Sequence, residues 1–328
     1  MSHEYVVLQL TNYVVPATLL AILALGLNLQ WGHTGLFNAG VAAYMGVGAY
    51  LFGMLTTGNF AADFNIPPDG TPDWLHWGPA QPWDLIPAAL AAMVVAAVLG
   101  VLVAVPTLRL RADYLAIATL AFAEIVRLIL KNERRLTGGD QTLAYIPRPF
   151  GGIVTEGWAS DGVFMLVALA LLVVVLYAML RLTATPWGRA LKAVREDEEA
   201  AEAMGKNAFV LKLGSIAIGC AVMGLAGALT VSFQKVAIPD QFVPFTTFTA
   251  YVVVILGGSG NPKGAVLGAY VFALFGWATQ QAKAYLPDAF TLRIDFVNQI
   301  VIGLMLILIM IFRPEGMMPE ERYVPRRR

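Results

Sequence analysis

Long apolar stretches separated by short polar breaks run the whole length of this chain. Nine such stretches lie near residues 12–30, 36–55, 86–106, 113–130, 163–181, 210–232, 244–257, 264–284 and 295–312. Most approach the roughly 20 apolar residues that carry a helix across a hydrocarbon core about 30 Å thick. Lipid offers no partner to backbone N–H and C=O groups, so lone segments of this kind must be helices. The pattern predicts an all-α, polytopic membrane protein of about nine transmembrane helices (eight to ten), forming a single domain over 1–328. The stretch 244–257 is the shortest, and suits a broken or re-entrant helix as well as a full crossing.

One break differs from the others. The run TPWGRALKAVREDEEAAEAMG, Thr185 to Gly205, is the longest charge-dense run and lies between two spans, so it must sit at a membrane face. Thr185 and Pro186 read as N-cap and first helical position, since the N–H that proline lacks has no partner there anyway. Trp187, Leu191 and Val194 recur at helical spacing and give a short helix one apolar face. Asp197 can cap a second short helix with Glu198 and Glu199 in its first turn, where the helix dipole favours anions. Gly205 is placed to end it. The result is a compact two-helix knob within a polar loop of about 183–209, and its apolar face is the expected surface for a partner's groove.

Lysine and arginine set the orientation, because they concentrate in cytoplasmic loops. An odd number of spans puts the termini on opposite sides, and the tail with Arg322, Arg326, Arg327 and Arg328 prefers the cytoplasm. That choice also places Arg109, Arg111, Arg189, Lys192, Arg195, Lys206 and Lys263 inside. The loop 56–85 falls outside, with Asp63, Asp69, Asp73, Asp84 and three tryptophans, Trp74, Trp77 and Trp83. Tryptophans commonly anchor at the bilayer interface; the other reading of this loop is a surface for an extracytoplasmic protein. The loop after the fourth span, with Lys131, Arg134, Arg135 and Arg148, runs against the rule. The N-terminus is expected outside, and the first ten residues lack the basic region and cleavage site of a signal peptide.

Within the spans, small residues mark close helix packing: Gly40, Gly46 and Gly48 in the second, and Gly214, Gly219, Gly224 and Gly227 in the sixth. Glu124 and Arg127 stand at i, i+3 and can pair on one helix. An ionisable side chain inside a span must face protein or water, or snorkel to the interface. Helical hydrogen bonding is most readily interrupted at Asn38–Gly40 and Gly257–Gly260, and interrupted backbone is tolerated at membrane depth only beside a cavity or protein. Asn38, Gly40, Gly257 and Gly258, with Thr119 and Glu124 as neighbours, are thus candidates to line a pathway; the alternative is packing contacts and turns.

Composition narrows the function. The chain is 58% hydrophobic and 13% charged, against roughly 25% charged in soluble proteins. Its 22 basic and 22 acidic residues cancel, so bulk charge gives no case for nucleic-acid binding, and the expected surroundings are lipid. His3, His33 and His76 are scattered without metal-ligand spacing, and the single Cys220 can form no internal disulfide. The Gly257-Gly258-Ser259-Gly260 run lacks the Lys-Ser/Thr of a P-loop. No triad or metal cage is evident, so the chain is not read as an enzyme and no cofactor is expected on it.

Glu199, Ala200, Ala201 and Gly205 form E-A-A-x-x-x-G, and the wider string GRALKAVREDEEAAEAMGKN resembles the permease subunits of binding-protein-dependent ABC importers. The branch it resembles is the branched-chain amino-acid permeases, in particular their LivM-like subunits. Three further segments fit: GLFNAG with GVGAY, DYLAIATLAFAEIVR followed by TGG, and residues 255–269 around LGGSG. The resemblance implies a sister permease subunit, two ATP-binding cassette subunits that use the ATP, and an extracytoplasmic substrate-binding protein. It also implies that Arg189, Arg195, Glu198, Glu199, Ala200, Ala201 and Gly205 take part in coupling to the ATPases. Branched-chain or other hydrophobic amino acids are the substrates it implies first. Permeases of the same type for urea or short amides remain open, as does a different class, the self-contained secondary transporter or channel.

Overall fold

The structure is a computed structural model that describes residues 3–57, 84–133, 137, 139, 142–144, 146–149, 157–283, 299–300, 302–304, 307–308, 311–313 and 315–320. Helix α1 (His3–Leu27) continues directly into a π-helical turn, Asn28–His33. Then come α2 (Val41–Thr56), α3 (Leu85–Thr107), α4 (Ala112–Asn132) and α5 (Trp158–Ala184). Two short helices follow, α6 (Pro186–Glu196) and α7 (Glu198–Ala203). Beyond them are α8 (Ala208–Gln234), a 3-10 turn at Pro239–Gln241, α9 (Pro244–Gly257) and α10 (Pro262–Lys283). Among the described residues there is no β-strand, only an isolated antiparallel bridge between Leu143 and Ala237.

Among the described residues, five stretches are long and apolar enough to cross a membrane: Val7–His33, Leu85–Thr107, Trp158–Ala184, Ala208–Gln234 and Pro239–Gly257. Helix α2 is apolar but shorter. It begins at Val41 rather than near residue 36, because Asn38 closes a local turn by accepting the Gly40 N–H at 2.9 Å. Half of the ninth stretch, and the loop 58–83 with Trp74, Trp77 and Trp83, lie outside the described residues.

Helix α8 sits at the centre and packs against α2, α3 and α1; α1 packs in turn on α5 and α10. The glycines explain how the backbones come so close. A Cβ built on Gly48 would lie 2.5 Å from the Cα of Gly224, and one on Gly227 would lie 1.9 Å from the Met45 carbonyl oxygen. Dispersion between such tightly packed backbones replaces the hydrophobic drive that lipid does not supply. By contrast α3 and α5 turn Ile86, Leu90, Val94, Leu166, Val173 and Val174 outward, the composition of a lipid-facing surface.

The segments that the arginine and lysine pattern assigns to one side of the membrane meet at one end of the bundle. The π-turn, α6, the α9–α10 turn and residues 315–320 touch there. At the opposite end Asp240 pairs with Arg127 and Lys131, and Arg148 pairs with Asp161.

Candidate functional site

The knob is built from local capping chemistry. The Thr185 hydroxyl accepts the Gly188 N–H at 3.4 Å and Pro186 opens α6. The Asp197 carboxylate accepts the Ala200 N–H at 3.0 Å and opens α7. Gly205 then adopts φ +79°, and its N–H reaches the Glu202 carbonyl while the Lys206 N–H reaches that of Ala201. This paired closure stops the helix in the left-handed conformation that glycine adopts without a Cβ clash. Asn207 caps α8 by accepting the Val210 N–H at 3.0 Å. Each side-chain cap contributes about 1 kcal/mol.

The apolar face of α6 is not the outer surface. Leu191 and Val194 are buried in the chain's own core, and Val194 packs with Ala201 and Ala208. An 11-residue helix is too short to stand alone in water, so its apolar stripe anchors it to the bundle that carries it. The expectation of an apolar docking face is therefore corrected. The exposed surface carries Glu196, Asp197, Glu198, Glu199, Ala200, Glu202, Ala203 and Gly205, with Lys206 and Asn207 after them and Met204 70% exposed at its edge. It is an acidic rim beside a flexible apolar side chain.

The basic residues of α6 face the bundle end. Arg189 donates to the Ala184 carbonyl at 3.3 Å, a cation over the last carbonyls of α5. Arg195 donates to the Gly32 carbonyl of the π-turn, to Glu196 at 2.8 Å and to Glu320 at 2.8 Å. Lys192 binds the other oxygen of Glu320 at 2.6 Å. Burial pushes the Glu320 carboxyl up, but Lys192 and Arg195 outweigh it and hold the group below the usual glutamate range. Burial pulls the Arg195 guanidinium down, and Glu196 and Glu320 more than restore it. Glu198 pairs with Lys212 of α8, which ties α7 to the bundle.

Of the candidate pathway residues, the structure brings Asn38, Gly40 and Thr119 together. The Ala39 N–H donates to the Thr119 hydroxyl at 3.0 Å, and a Cβ on Gly40 would lie 3.2 Å from the Thr119 carbonyl. Asn38 is buried and donates to Gln30 at 2.9 Å; its carbonyl accepts the Tyr251 hydroxyl at 3.0 Å. Glu124 is not in this group. It pairs with Arg127, which also binds Asp240 at 2.8 Å, toward the opposite end of α4. Gly257 and Gly258 have other neighbours: Gly264 across the α9–α10 turn, and Met318.

Gln30, Asn28, Tyr251, Lys192 and Glu320 emerge only from the structure. Gln30 is fully buried and donates to the Ile216 carbonyl at 3.2 Å, and the Asn28 side chain accepts the Gly260 N–H at 2.8 Å. Their signal in the sequence is the pair of amides in Asn28-Leu29-Gln30-Trp31, at the end of an apolar run. A π-turn at such a place is a frequent mark of a functional site.

Residues 9–310 match the family described as branched-chain amino acid transport system / permease component. The LivM high-affinity branched-chain amino acid permease of Escherichia coli K12 is 32% identical over 322 residues, covering 92% of this chain and 68% of that protein. A probable LivM of Methanocaldococcus jannaschii is 28% identical, covering 92% and 90%. The LivH permease of Salmonella typhimurium is 24% identical, covering 96% of each chain. No solved structure matches.

Proposed function

Because the chain belongs to the family of branched-chain amino acid transport permeases, we propose that it is a membrane-spanning permease subunit of a multi-subunit ABC importer. It carries branched-chain amino acids inward, driven by ATP that separate subunits hydrolyse. The family match across residues 9–310 is the observation that carries this reading. Similarity to LivM and, at lower identity, to LivH supports pairing with a sister permease of the same architecture. A soluble binding protein delivers the substrate from outside, and the transport itself requires no catalytic group on this chain.

In this reading the chain crosses an inner membrane about nine times, with its N-terminus outside. The α6–α7 knob lies in the cytoplasm and docks on an ATPase subunit through its acidic rim, with Met204 as the apolar anchor. The matching ATPase surface is a groove with basic edges. Asn38, Gly40 and Thr119 line or support the passage near the kink between α1 and α2, whereas Gly257 and Gly258 act through packing.

Co-purification tests this. Detergent-solubilised complex captured through a tag on this chain is expected to retain the ATPase subunits, and Ala200→Arg, on the exposed rim, to lose them while this chain still folds. Retention of the ATPases by Ala200→Arg at wild-type level would remove α7 from the dock.

A further inference from the structure

We infer that Glu320 is a positioning residue for transport, the carboxylate through which movement of the ATPase-facing helix α6 reaches the strap of residues 315–320 and the α9–α10 turn beneath it. This rests on the knob being the ATPase dock.

Residues 315–320 form a strap across the α9–α10 turn. The Met317 N–H donates to the Leu256 carbonyl at 3.0 Å and the Met318 N–H to the Gly257 carbonyl at 2.9 Å. Both acceptors are end-of-helix carbonyls that α9 itself leaves unpaired. The Asn261 side chain donates to the Pro319 carbonyl at 3.2 Å. Gly258 at φ +114° lies directly beneath, where a Cβ would stand 2.2 Å from the Met318 carbonyl oxygen. No side chain fits between strap and turn, so the two move as one body.

Glu320, the last described residue of the strap, reaches away from the turn to α6. One carboxylate oxygen takes Lys192 and the other takes Arg195, two cations one helical turn apart on a single face. The carboxylate is 22% exposed, so solvent screens it only in part. Arg195 extends the connection to α1 by donating to the Gly32 carbonyl, within the π-turn. Asn28 of the same turn closes the circuit by accepting the Gly260 N–H. Four elements thus form a ring: α6 to the π-turn, the π-turn to the α9–α10 turn, that turn to the strap, and the strap back to α6. Among the described residues, Glu320 is the carboxylate through which Lys192 and Arg195 are ion-paired beyond α6. A knob displaced by its ATPase pulls the α9–α10 turn through Glu320, and the end of α1 through Arg195 itself.

The test uses the complete complex of both permeases and both ATPases, reconstituted in liposomes with its binding protein and radiolabelled leucine. Glu320→Gln keeps the shape and removes the charge. The variant is expected to retain its ATPase subunits and its ATP hydrolysis, while leucine transported per ATP falls roughly fivefold or more. Exchanging the charges, Lys192→Glu with Glu320→Lys, is expected to restore much of the ratio. All values are taken per assembled complex, so a lower yield of Glu320→Gln does not enter. An unchanged ratio in Glu320→Gln, or an exchange variant no better than Glu320→Gln, would overturn the inference and leave the dock standing. Loss of the ATPases already in the unmodified complex would instead overturn the dock, and the inference with it.

Discussion

The guanidinium of Arg195 and the carboxylate of Glu320 lie 2.8 Å apart across 125 residues of chain. Lys192 shares the same carboxylate, and the three charges join helix α6 to residues 315–320. The pairing has a pH signature. Glu320 is held below the usual glutamate range, so its contribution is complete above about pH 4.3, the unfolded value. It is lost as pH falls through the lower folded value. Hydrogen-exchange protection of the Met317 and Met318 amides is expected to be constant from pH 7 to about pH 5 and to fall in stronger acid. Glu320→Gln should show reduced protection throughout, without that acid step. Protection that weakens instead between pH 8 and pH 6 would assign the strap to a different titrating group.

Gly205 has open space where a Cβ would stand, so backbone conformation alone restricts the position. At φ +79° asparagine is tolerated, whereas a β-branched residue costs roughly 1–2 kcal/mol and unravels the closure of α7. Gly205→Asn is expected to take up leucine nearly normally and Gly205→Val to lose most uptake at equal membrane abundance. Uptake assays in cells lacking the endogenous system decide the order, and equal rates would show that the α7 closure does not matter.

Leu191 and Met204 separate anchoring from docking. Leu191 is fully buried, so Leu191→Ala should destabilise the knob by about 2–5 kcal/mol and expose the 183–209 loop to protease. Met204 is 70% exposed, so Met204→Ser should leave protease resistance unchanged and weaken ATPase retention. The reverse pattern would return the docking role to the apolar face of α6.

Much of this arrangement was legible in the residues because it is local. The five apolar crossings among the described residues follow from apolar length, and the knob's boundaries follow from Thr185-Pro186, Asp197 and Gly205, each acting on backbone within a few positions. The apolar stripe of α6 was legible as a stripe; which neighbour covers it is a tertiary fact, and the bundle itself covers it. The π-turn at Asn28–His33 is marked in the sequence by its two amides and no more, since the wider turn is stabilised by Gln30, Asn28 and Arg195 contacts with distant segments. Glu320 was illegible for the same reason: nothing near it in sequence announces a partner on α6. Gly257 and Gly258 read equally well as a backbone break or as packing, and the Met318 carbonyl above them shows what occupies that space.

Orientation follows from cysteine labelling in a Cys220→Ala background, where the native thiol is buried in any case. Met204→Cys, at the knob, is expected to react with an impermeant thiol reagent only after permeabilisation. Asp240→Cys, at the opposite end of the bundle, should react in intact cells. Labelling of both from the same side would exclude the nine-span topology.

The most direct measurement is leucine accumulation in liposomes holding this chain, its sister permease and the two ATPase subunits. ATP is enclosed at the knob side, and the binding protein is supplied at the other. Accumulation is expected only when ATP and binding protein are both present, and should not respond to an imposed proton or sodium gradient. Accumulation driven by such a gradient without ATP would contradict the ATP-driven permease and identify a self-contained carrier.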